Sequence, residues 1–144
     1  VTGPGEGKIP LKARVLVGGR ELGCDVYLHV KGYSRARVTH VDVECGELNE
    51  AVPPGAHAYA TAYTRGGELR VRFREPLKAL GYARELVVVC PELAAALAPM
   101  RDLVYVGGKE GGVFIGFRRE QIRKLEALAS SLGVPPRSAG KPGL

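Results

Sequence analysis

The sequence predicts an α+β fold: antiparallel β-hairpins forming a curved sheet or small barrel, with one short helix and a C-terminal amphipathic helix. Three observations predict it. Apolar and polar residues alternate with strand period over several short runs. Two of these runs are followed by Gly-Gly pairs, Gly18-Gly19 and Gly66-Gly67, which supply the positive φ angles of two-residue primed turns. Helical period is confined to a short run after Pro91 and to a stripe of Ile122, Leu125, Leu128 and Leu132. At 144 residues the chain has the length of one domain and can bury a core without a metal or disulfide staple. Residues 1–134 are assigned to that domain, with 1–7 (VTGPGEG) as a mobile N-terminus. Residues 135–144 (PPRSAGKPGL), rich in Pro and Gly, are expected to be a disordered basic tail.

The elements follow in order. Ile9, Leu11, Ala13, Val15 and Val17 share one parity, and reversal at Gly18-Gly19 pairs Val15 with Leu22, Ala13 with Cys24 and Leu11 with Val26. Apolar meets apolar at each step, and a one-residue slip would destroy the match. A third strand is expected over 36–45, with Thr39, Val41, Val43 and Cys45 on one face and Val38, His40, Asp42 and Glu44 on the other. Residues 46–55 contain Pro53-Pro54-Gly55 and read as a loop. In the second hairpin Ala56, Ala58, Ala60 and Ala62 alternate with His57, Tyr59, Thr61 and Tyr63, and Leu69, Val71 and Phe73 alternate with Arg70, Arg72 and Arg74. A Gly66-Gly67 turn pairs Tyr63 with Arg70, Thr61 with Arg72 and Tyr59 with Arg74. A turn at Arg65-Gly66 would shift the partners by two and leave the faces unchanged.

Pro76–Leu80, followed by Gly81, suggests one helical turn. Glu85–Cys90 reads as a strand covered on both faces, and Pro91 opens a short helix through Leu97. Leu103–Val106 and Val113–Phe117 form a third hairpin with GGKEGG, 107–112, as a flexible tip. The closing helix ends at Gly133.

Composition narrows the function. The longest apolar runs, Leu86–Cys90 and Leu93–Met100, are far shorter than the ~18 residues of a membrane span, so a cytoplasmic protein with no membrane partner is expected. One Asn, one Gln and one Met suggest a thermophilic source. Cys24, Cys45 and Cys90 show no metal or redox spacing. They are expected as buried reduced thiols, with a Cys24–Cys45 bridge the alternative that a hyperthermophile would allow. The net charge of +6 permits a polyanionic partner.

Three readings of function compete. Tyr59, Tyr63, Arg70, Arg72 and Arg74 share the solvent face of the second hairpin. Arginine forks hold phosphates and aromatic rings stack on bases, so this face points to single-stranded nucleic acid and to a non-catalytic binding module. The same pattern also suits a solvated hairpin whose arginines block edge pairing. The second reading is a metal-assisted enzyme. It draws on Asp25, Tyr27 and His29 on one strand and His40, Asp42 and Glu44 on another, with His57 as a third imidazole. No recognised metal motif supports it, and no cofactor or catalytic residue is assigned. The third is a subunit that binds an acidic protein partner through its basic surfaces. The sequence leaves the oligomeric state open.

Overall fold

The computed structural model describes residues 6–32, 37–77 and 83–132. Ten strands form one antiparallel sheet: β1 Glu6–Leu11, β2 Arg14–Val17, β3 Arg20–Leu22, β4 Asp25–Lys31, β5 Arg37–Glu44, β6 His57–Arg65, β7 Glu68–Leu77, β8 Ala83–Val89, β9 Arg101–Lys109 and β10 Gly112–Gly116. Helices α1, Pro91–Leu97, and α2, Arg119–Ser131, complete the fold with a 3-10 turn at Gly46–Glu50. The chain is therefore mostly β, with a curved sheet. No helix among the described residues is long and apolar enough to cross a membrane.

The strand order is β1-β4-β5-β10-β9-β6-β7-β8-β2-β3. Its two ends belong to one hairpin. β1 pairs with β4 in the basal half and β2 with β3 in the tip, while β4 continues to β5 and β2 to β8. The sheet thus curls into a half-barrel, bending where Lys12-Ala13 and Gly23-Cys24 interrupt the two arms. The registers expected from both Gly-Gly turns are present. Leu11 pairs with Val26, Val15 with Leu22, Tyr63 with Arg70 and Thr61 with Arg72, and all four turn glycines have positive φ.

The concave face is the core. Leu28, Val41, Val43, Val71, Val88, Val106 and Ile115 are among its fully buried side chains. Small Ala60 and Ala62 on β6 lie opposite Phe73 and Val71. Leu48 and Val52, in and after the 3-10 turn, are buried at one end. There the Asn49 amide donates to the carbonyls of Lys109 and Gly112 at 3.0 and 2.8 Å. α1 packs on β6 and β7, and α2 packs on α1 and β5 at the other end. An interior void bounded by Leu48, Val52, Phe73, Leu86 and Val106 measures about 10 Å³, room for a single water at most. That void is too small for an organic ligand.

Several expectations need correction. Cys24 and Cys45 form a disulfide rather than two reduced thiols; Asp25 pairs with Glu44, so the cysteines occupy the next positions of that register, with Cα atoms 4.7 Å apart. Cys90 is free and buried. Val38 faces the core, because a bulge at Thr39 inserts one residue between His40, opposite His29, and Val38, opposite Val30. The GGKEGG segment is strand except at Glu110-Gly111, since Gly107 and Gly108 pair with Phe114 and Val113. β8 is not covered on both faces: Glu85, Val87 and Val89 on its convex side are only partly buried. The buried stripe of α2 is Gln121, Leu125 and Ala129, flanked by Ile122, Leu128 and Leu132. β1 begins at Glu6, inside the expected mobile segment, and β7 extends through Pro76 to Leu77. The remainder of that predicted helical turn, Gly133 and the 135–144 tail lie outside the described residues.

Candidate functional site

Strand parity sets what the convex face displays. On β6 it presents His57, Tyr59, Thr61 and Tyr63, opposite Gly107, Tyr105, Leu103 and Arg101 of β9. Gly107 in turn faces Phe114, Phe114 faces Asp42, and Asp42 faces Tyr27. The result is an oblique run of rings across β6, β9, β10, β5 and β4. His57 stacks on Tyr105 with centroids 5.3 Å apart, and Tyr59 meets Tyr105 edge-on at 5.6 Å. Tyr105 lies 5.8 Å from Phe114, Phe114 5.0 Å from His40, and His40 stacks on His29 at 4.5 Å. Gly107 carries no side chain for a physical reason: a Cβ there would collide with the Phe114 ring.

The five residues singled out from the sequence divide into two groups. Tyr63 and Arg70 are taken up by internal partners. The Tyr63 hydroxyl donates to Glu85 Oε2 at 2.6 Å, and Arg70 bridges Glu68 at 2.7 Å and Glu85 at 2.9 Å. The hydrogen bond to Glu85 raises the Tyr63 pKa, and the same bond is the leading cause that lowers that of Glu85. Arg101 lies over the Tyr63 ring, 4.8 Å from its centroid. Tyr59, Arg72 and Arg74 remain open. Tyr59 is 57% exposed and lines a cleft of about 260 Å³ with Thr61, Arg72, Arg74, Arg84 and Leu103. Arg72 reaches Glu85 only at 3.7 Å; among the described residues neither Arg74 nor Arg84 has a carboxylate within ion-pair distance.

His29 and His40 do meet, ring on ring, and Thr39 lies against both. The Thr39 hydroxyl lies 2.7 Å from His29 Nδ1 and 3.0 Å from His40 Nδ1, and His40 Nε2 is 3.2 Å from Asp42 Oδ1. An ionised Asp42 only accepts, so His40 Nε2 donates to it, and the Thr39 hydroxyl also donates to the His29 backbone carbonyl at 3.4 Å. Asp42 is fully buried, and Lys109 Nζ also binds Oδ1 at 2.7 Å, leaving Oδ2 without a partner. Burial pushes the Asp42 carboxyl up, but hydrogen bonds from His40 and Lys109 outweigh it and hold the pKa at about 2. Lys109 also reaches Glu44 at 2.9 Å. His57 is three strands away from the His29–His40 pair, against Tyr105. Among the described residues no group of three His, Cys, Asp or Glu side chains is arranged to hold a metal ion.

Sequence reasoning missed Tyr105, Phe114, Leu103, Arg84 and Glu85. Parity alone could have put Tyr105 and Phe114 on the polar face, since each lies between core-facing valines or isoleucine. Nothing local says that β9 pairs with β6 on its other side. Compared with protein families, curated proteins and solved structures, the chain matches none.

Proposed function

We propose that this domain is a non-catalytic module that binds single-stranded nucleic acid on the convex face of a curled, barrel-like sheet. The observation that carries the reading is Tyr59, 57% exposed, in a cleft rimmed by Arg72, Arg74 and Arg84. An open ring offers a stacking surface to any base, and Arg74 and Arg84, with Arg72 held only loosely at 3.7 Å from Glu85, suit the phosphates that flank it. The ring run continuing from Tyr59 through Tyr105 supports an extended ligand rather than one mononucleotide. The net charge of +6 favours encounter with a polyanion. Of the five residues first singled out, Tyr59, Arg72 and Arg74 are assigned to contact, and Tyr63 and Arg70 to holding the hairpin in shape through Glu85.

Anisotropy titrations with labelled single-stranded RNA and DNA at about 50 and about 200 mM salt test this. Binding should weaken as salt rises, and R72A/R74A should lower affinity at least about tenfold at the lower salt, with Y59A losing about 1–3 kcal/mol. Absence of binding at low salt, or unchanged affinity in both variants, refutes it. Leu103, 52% exposed beside Tyr59, favours a second reading, an acidic protein partner, because aromatic and arginine side chains around an apolar centre also make protein interfaces. Equal affinity for poly-glutamate and for an oligonucleotide would support that reading.

A further inference from the structure

The far end of the ring run opens onto a second cleft, of about 480 Å³, between α2 and the adjoining ends of β4 and β5. Lys31, Arg37, Arg119 and Arg123 line it, with Thr39 and Glu126. Lys31 and Arg37 are directly opposed across the β4–β5 pair, and Arg119 and Arg123 are one helical turn apart on α2. Like charges in either relation repel. Among the described residues Arg37, Arg119 and Arg123 have no carboxylate within ion-pair distance, and Glu126 is occupied, accepting from the Val38 backbone N–H at 3.1 Å. Four cations against the single carboxylate of Glu126 give the lining of this cleft a net positive charge, which suits an anion. Thr39 connects this cleft to the rings, since it lines the cleft and bonds both His29 and His40.

We infer that this cleft is a second phosphate-binding site, which anchors the far end of the same single strand after it has crossed the convex face from Tyr59. The inference rests on the proposed nucleic-acid reading and adds a course to it: base stacking at Tyr59, passage over Tyr105, Phe114 and the histidine pair, and backbone capture by Arg37, Arg119 and Arg123. A strand too short to span the face engages only one cleft, so the second cleft should contribute only to longer ligands.

The test compares oligothymidylates of about four and about sixteen nucleotides on the wild-type chain, R119Q/R123Q, and R37Q as a second variant on another element. Circular dichroism and thermal melting check that each is folded. Both variants should bind the short strand as the wild type does. R119Q/R123Q should bind the long strand about tenfold more weakly, with the slope of log affinity against log salt reduced by about 1.4, the value for two lost single-strand phosphate contacts. Long-strand affinity and slope unchanged in both folded variants, while R72A/R74A still weakens binding about tenfold or more, would overturn the second site and leave the binding reading intact. No binding of either strand by the wild type would overturn both.

Discussion

Asp42 is the one buried charged side chain among the described residues, and its replacement has a defined consequence. D42N removes the charge that Lys109 and His40 share and should destabilise the fold by about 3 kcal/mol in urea unfolding; a change below about 0.5 kcal/mol would contradict the geometry. The folded pKa of about 2 lies below the 3.8 of a free aspartate, so folding favours the ionised form. That stabilisation, of order 2 kcal/mol, is fully present above about pH 4 and disappears as the pH falls through about 2. The D42N variant should lack this component of the acid transition. Two adjacent glycines make a contrasting pair. A Cβ at Gly107 meets the ring of Phe114, which can swing aside, whereas one at Gly108 meets the backbone carbonyls of Val52 and Pro53. G107A should cost about 1 kcal/mol and G108A about 3. Similar melting temperatures for the two would show that the 46–55 segment does not pack as described.

At the scale of elements, the Cys24–Cys45 bridge ties the β3–β4 junction to the start of the 3-10 turn across 21 residues of chain. Closing a loop of that length should contribute about 3 kcal/mol through the unfolded state. Melting with and without a reductant checks it, and identical curves for the wild type and C24S/C45S would count against the bridge. What was legible in the sequence follows the same scale. The two Gly-Gly hairpins could be read because turn, parity and pairing are all local. The Thr39 bulge could not, because a single inserted residue reverses the facing of Val38 without any change in composition. The outer partners of the β9–β10 hairpin could not be read either, since no short turn connects it to β6 or β5. The role of Glu85 was hidden for the same reason: it meets Tyr63 from a strand two positions away in the sheet. Sequence therefore assembled a Tyr/Arg face, and only long-range pairing shows which of its members are already occupied.

For the whole molecule, the curled sheet divides its labour by face. The concave side is filled by side chains, and the convex side carries the open tyrosine, the ring run and one group of cations, with a second group between α2 and the ends of β4 and β5. On the proposed function, a single strand lies on that convex face. The most direct test of that function is the chemical-shift map of the ¹⁵N-labelled chain titrated with a single-stranded oligonucleotide at low salt. Saturable shifts are expected at Tyr59, Arg72, Arg74, Arg84 and Tyr105, reaching Thr39 and Arg123 only with a long strand, while core positions such as Val71 and Ile115 stay in place. Saturable shifts confined to other surfaces, or none at any ratio, would contradict it.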